Sequence, residues 1–155
     1  MPIASAETVQ IRLRGFTEVP AISSPAVGRF WATIDDKART IAYELSYSGL
    51  TGEVQQAHIH LGQRSVNGAV SVFLCQTEAS PDPTGLAPRC RRSGTVTGML
   101  QAANMIEGGI VGQGIAPGEF DELIAAIRAG VTYVNVHSST FPAGEVRGQL
   151  PRKIP

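Results

Sequence analysis

The sequence predicts an all-β chain, an antiparallel β-sandwich with Greek-key connections and one short helix before the penultimate strand. Three observations lead there. Apolar and polar residues alternate in short runs, the period of a half-buried strand. Those runs are separated by turn-forming residues, with 17 glycines and 10 prolines in 155 residues. Only one segment carries a helical repeat.

The first run, "TVQIRLRG", sets Val9, Ile11 and Leu13 on one face and Gln10, Arg12 and Arg14 on the other. "VGRFWATID" follows, ends in the polar turn "DDKAR", and returns as "TIAYELSYSGL", with Phe30 or Trp31 anchoring the core. "VQQAHIHLG" and "GAVSVFLC" pair around "GQRSVNG", whose Asn67-Gly68 dipeptide suits a turn with positive φ. "SGTVTGML" is a further short strand, whereas "EGGIVGQGIAPG" has five glycines, no period and the character of a loop. In "PGEFDELIAAIRAG", Phe120, Leu123, Ile124 and Ile127 fall at helical spacing, acids fill the first turn, and Gly130 follows Arg128 as a stop. "VTYVNVHS" turns Val134 and Val136 to the core and His137 to the other face beside Asn135. "FPAGEVRGQL" closes the chain, with Glu145, Arg147 and Gln149 on one side of a strand.

The length fits a single domain over residues 1–155. Thirteen basic residues balance thirteen acidic ones, and no basic run exceeds Arg89 to Arg92, which argues against a nucleic-acid partner. No run approaches the roughly 18 apolar residues of a membrane span. The N-terminal "MPIASAETVQ" lacks a charged region followed by an apolar core, so no signal peptide is expected in it, although "ASA" resembles what cleavage leaves behind. There is no GxSxG elbow, P-loop, HExxH helix or CxxC pair.

Cys75 and Cys90 flank "QTEASPDPTGLAPR". A polar, proline-rich loop between two cysteines reads as a disulfide across a long hairpin loop, worth roughly 3 kcal/mol and typical of an oxidising compartment. Two free thiols, with Cys75 buried, are the alternative.

Three histidines occur in the chain, two of them in "AHIHLG". Strand residues two apart share a face, so His58 and His60 present their rings side by side with Cα atoms about 6.5–7 Å apart. Both can then reach one ion at about 2.0 Å, which the same spacing on a helix would not permit. His137 offers a third imidazole, a set that suits copper or zinc. Unrelated surface or hydrogen-bonded histidines are the alternative. Asn135, two before His137 on its face, is positioned to fix a ring, and Glu145 reaches the pair if the last strand lies beside it. Otherwise Glu145 and Arg147 pair with each other or cap a sheet end. Met99 and Met105 read as core or loop residues rather than ligands.

"GFTEVPAISSPAVGRFWATI", "YELSYSGLTGEVQQAHIHLGQRSVNGAVSVFLC" and "LIAAIRAGVTYVNVHSSTFPAGEVRGQL" together resemble the CHRD domain, first named from chordin, over residues 7–150. The specific parts are "EVP", "AHIH" with the following "NG", and "YVNVH" with "PAGEVRGQ". Ser138 and Val146 depart mildly from the usual Thr and Ile. The resemblance implies an extracytoplasmic β-sandwich, in the periplasm, at the cell surface or secreted, and no settled activity. More distantly, the order His58, His60, His137, Arg147 is similar to the copper ligands and anion-attracting arginine of copper/zinc superoxide dismutases. No fourth histidine or His/Asp cluster is present for their zinc. The reading is therefore a mononuclear copper site, Cu(II)/Cu(I), with zinc possible, used for copper binding, transfer or electron transfer. A redox enzyme with Arg147 steering superoxide, and a metal-free module for an extracytoplasmic protein partner, are the competing readings.

Overall fold

A computed structural model describes residues 6–108 and 114–153. Eight strands form one antiparallel sheet: β1 (Glu7–Arg14), β2 (Val27–Asp35), β3 (Thr40–Ser48), β4 (Val54–Leu61), β5 (Ala69–Cys75), β6 (Gly94–Leu100), β7 (Thr132–Ser138) and β8 (Val146–Gln149). Their order across the sheet is β5-β4-β7-β8-β1-β2-β3-β6. Consecutive strands β3 and β4, and likewise β6 and β7, are therefore not neighbours. The sheet curls until its edges approach: the Tyr43 hydroxyl on β3 donates to the Leu74 carbonyl on β5 at 2.7 Å, and Met105 pairs with Val72.

Alternation decides which side chains enter the enclosed core. Leu13, Phe30, Leu45, Ile59, Val134, Val136 and Val146 point inward and are buried. At the Phe30/Trp31 pair the inward residue is Phe30; Trp31 lies on the outer face and is 43% exposed. The helix forms where its period places it, as α1 (Phe120–Ala129), with Phe120, Leu123, Ile124 and Ile127 buried. Each such side chain contributes roughly 1.5–3 kcal/mol. Gly130 ends it at φ 73°, its N–H donating to Ala126 and Ile127 carbonyls. Arg128 ties the helix to β1 and the β2–β3 turn through Glu7 and Asp36. Of the glycine-rich stretch 107–118, residues 109–113 lie outside the described residues.

Cys75 and Cys90 are joined by a disulfide. The loop it closes is not a simple hairpin, because Gln76 and Arg89 pair in parallel. A single carboxylate organises it: Asp82 accepts from the backbone N–H groups of Thr84 and Ala87 and from the Thr84 hydroxyl.

Candidate metal centre

Register brings the three histidines together. On β4 and β7, His58 lies opposite Asn135, His60 opposite Tyr133 and Gln56 opposite His137. Asn135 in turn lies opposite Arg147 of β8. Directly paired residues project to the same side of a sheet, so His58, His60, Asn135, His137 and Arg147 share the outer face, behind Ile59, Val134 and Val136. That face is covered here: the histidines are 2–6% exposed, and Asn135 and Arg147 are 2% exposed. One ring nitrogen from each histidine lies within 4.8 Å of the others, and His58 Nδ1 is 3.1 Å from His137 Nε2. Nitrogens sharing one ion at about 2.0 Å stand at most about 4 Å apart, so small ring rotations complete the approach. The three histidines can therefore hold a metal ion.

The protons show which nitrogens are available. His60 Nδ1 lies 3.0 Å from the Gly68 carbonyl, and His137 Nδ1 lies 2.8 Å from the Pro142 carbonyl. A carbonyl only accepts, so each Nδ1 carries the proton and donates. Burial keeps the rings neutral: it is the main cause holding His58 down at about 2 and His60 at about 4, and it lowers His137 as well. A neutral ring has one N–H, so Nε2 of both His60 and His137 is a lone pair. Both face the Asn135 side chain, at 2.8 and 3.0 Å, and this follows whichever way its amide is turned. Electron-rich nitrogens converge in a buried place, and of them His58 Nε2 has no hydrogen-bond partner among the described residues.

Rings and a guanidinium hold the cluster in position. Tyr133 stacks on His60 at 4.5 Å and 6°, and the Arg147 guanidinium lies 3.4 Å from the centre of the Tyr133 ring. Phe73 meets His58 edge to face at 4.3 Å. Arg147 also donates to Asn67 Oδ1 and to the Gln63 and Val66 carbonyls, fastening the β4–β5 loop that supplies Gly68. Arg147 is thus a buried anchor rather than an exposed attractor of anions.

Glu145 does not reach the histidines. Its Oε1 accepts from the Thr51 N–H at 2.9 Å, the Thr51 hydroxyl at 2.5 Å and Ser24 at 3.0 Å, and the ion pairs among the described residues do not join it to Arg147. The carboxyl that sequence reasoning missed is Glu18. It is 5% exposed, its Oε1 is buried without a hydrogen-bond partner among the described residues, and burial lifts its pKa from 4.5 to about 7 against the pull of Arg147 and Asn135. The one available signal was its place in "TEVP". Gly144 leaves room for this carboxyl: a Cβ there would stand 2.5 Å from Glu18 Oε1 and 2.6 Å from Asn135 Nδ2, and its φ is 125°.

An all-β chain with a buried outer-face histidine trio is the class these observations define. Residues 9–150 match the CHRD domain family, and the chain belongs to that family. No curated protein and no solved structure matches it.

Proposed function

We propose that this CHRD domain binds one metal ion through His58, His60 and His137, with copper as the physiological ion, and serves in copper binding, transfer or electron transfer outside the cytoplasm. The observation that carries the reading is the convergence of three buried imidazoles: two Nδ1 groups committed to carbonyls, two Nε2 lone pairs turned to one point, and a third ring 3.1 Å away. Metal ligation requires deprotonated nitrogen, so a ring already neutral at pH 7 binds without first losing a proton. Copper is favoured because Cu(II) tops the affinity order for nitrogen donors. With no thiolate in the set, the complex is pale and type-2-like rather than intensely blue. The Cys75–Cys90 disulfide supports an oxidising compartment.

Equilibrium titration of the metal-free protein with Cu(II) and with Zn(II) tests this, on wild type and His58→Ala/His60→Ala. The expected result is one tight Cu(II) site per chain, weaker Zn(II) binding, and loss of the site in a variant that keeps its β-sheet circular dichroism. Equal copper uptake by the variant would remove the histidines from the site.

A further inference from the structure

A second feature of the outer face is independent of the histidines. Arg12 on β1 lies directly opposite Arg29 on β2, and Arg14 follows Arg12 on the same face at about 6.5–7 Å. All three side chains are exposed. Like charges directly opposite on neighbouring strands repel. Yet the ion pairs among the described residues use Arg39, Arg89, Arg92 and Arg128, none of these three. With thirteen basic and thirteen acidic residues overall, this unneutralised concentration is local.

The arginines line an open cleft of about 510 Å³ together with Ser46, Ser48 and Ser93. It crosses four neighbouring strands, β1, β2, β3 and β6, because Arg29 pairs with Ser46 and Ser46 with Thr95. A smaller cleft of about 250 Å³, lined by Gln10, Ile11, Arg12 and Arg29, continues along the sheet. The next row of the register, Gln10, Trp31, Glu44 and Thr97, places the half-exposed Trp31 ring alongside, with Glu44 as the single acid among these four.

We infer that this face binds an anionic polysaccharide, its sulfate or uronate groups held by Arg12, Arg14 and Arg29, its hydroxyls by the serines, and a sugar ring by Trp31. Crossing four strands that stand about 4.8 Å apart, the cleft spans more than a single small anion would fill. The set of three arginines is too small, and the chain too neutral, for nucleic acid.

Trp31 is the sole tryptophan, so its fluorescence reports binding directly. The full-length protein is titrated with a heparin hexasaccharide, an oligogalacturonate, neutral dextran and inorganic sulfate. The expected result is a saturable change with one or both anionic oligosaccharides, weakened by salt, and none with dextran or sulfate over the same range. Arg12→Gln/Arg29→Gln should bind roughly tenfold or more weakly, as loss of two charge contacts implies, and Arg14→Gln should weaken binding in the same direction. The double variant should melt no lower than wild type, since it removes a repulsive pair. Arg39→Gln/Arg89→Gln, with the same change in net charge, should bind as wild type does. No change with either anionic oligosaccharide, equal loss in that control, or saturation by sulfate in the same range would overturn the inference.

Discussion

His58, His60 and His137 are neutral at pH 7 because burial holds each below the ordinary 6.5, and this fixes how the metal-free protein responds to acid. The unfolded chain protonates these rings near pH 6.5, whereas folded His60 waits until about 4 and His58 until about 2. Between those limits the unfolded state binds more protons, so stability present above pH 6.5 is lost as pH falls. A ring protonated only in the unfolded chain costs the fold about 1.4 kcal/mol for every pH unit, so one histidine withdraws roughly 2 kcal/mol between pH 6.5 and 5. Glu18 acts in the opposite sense: raised from 4.5 to about 7, it stabilises below 4.5 and loses that contribution as pH rises through 7. Three rings outweigh one carboxyl, so the metal-free melting temperature should fall from pH 6.5 to pH 5; a flat profile in a melting series would show that the rings are not buried neutral. Asn135→Ala removes the amide that occupies both Nε2 lone pairs and should bind copper no more weakly than wild type, at one ion per chain, read by competition with a chelator. The HxH pair was legible because strand period alone puts both rings on one face. Glu18 was not, because nothing local in "TEVP" tells a buried carboxyl from an exposed one.

The elements around the site differ in what they contribute. The turn between β7 and β8 supplies the Pro142 carbonyl for His137 and, through Gly144, the space for Glu18 and Asn135. Gly144→Ala meets a forbidden φ and two polar atoms inside 3 Å, and should cost about 1–3 kcal/mol by denaturant melt and weaken copper binding with it. The disulfide lies instead at the end of β5, joining residues 15 apart in sequence. Its reduction should destabilise the fold by roughly 3 kcal/mol without abolishing copper binding at temperatures below the melt, since Cys75 packs in the core opposite Ala57 while the histidines share the other face; loss of the site on reduction alone would contradict that separation. Strands and helix were legible from period and caps, Phe120 to Gly130 above all. The parallel Gln76–Arg89 bridge and the Glu145 contacts with Thr51 and Ser24 were not, because they join segments whose proximity only the folded sheet creates.

Across the whole molecule, curling of one sheet produces both surfaces: a dry histidine cluster where loops cover the outer face, and an open arginine cleft where they do not. Ligand binding to the folded state alone raises stability by mass action, about 2.7 kcal/mol when free ligand is 100 times the dissociation constant. Copper should therefore raise the melting temperature of wild type and leave His58→Ala/His60→Ala unmoved, and the rise should persist to pH 5, because folded His58 and His60 are still neutral there. The family was legible in the sequence from its spaced motifs, whereas the assembly of three strands into one site depended on registers that no single segment encodes. Whether the three rings share one ion is decided by electron paramagnetic resonance of the one-to-one Cu(II) complex, recorded on wild type and on His137→Ala. The wild type should give a type-2 signal with splitting from several equivalent nitrogens, and the variant fewer nitrogens or a different site. An identical spectrum from both proteins, or a wild-type signal without nitrogen splitting, would contradict a shared three-histidine centre.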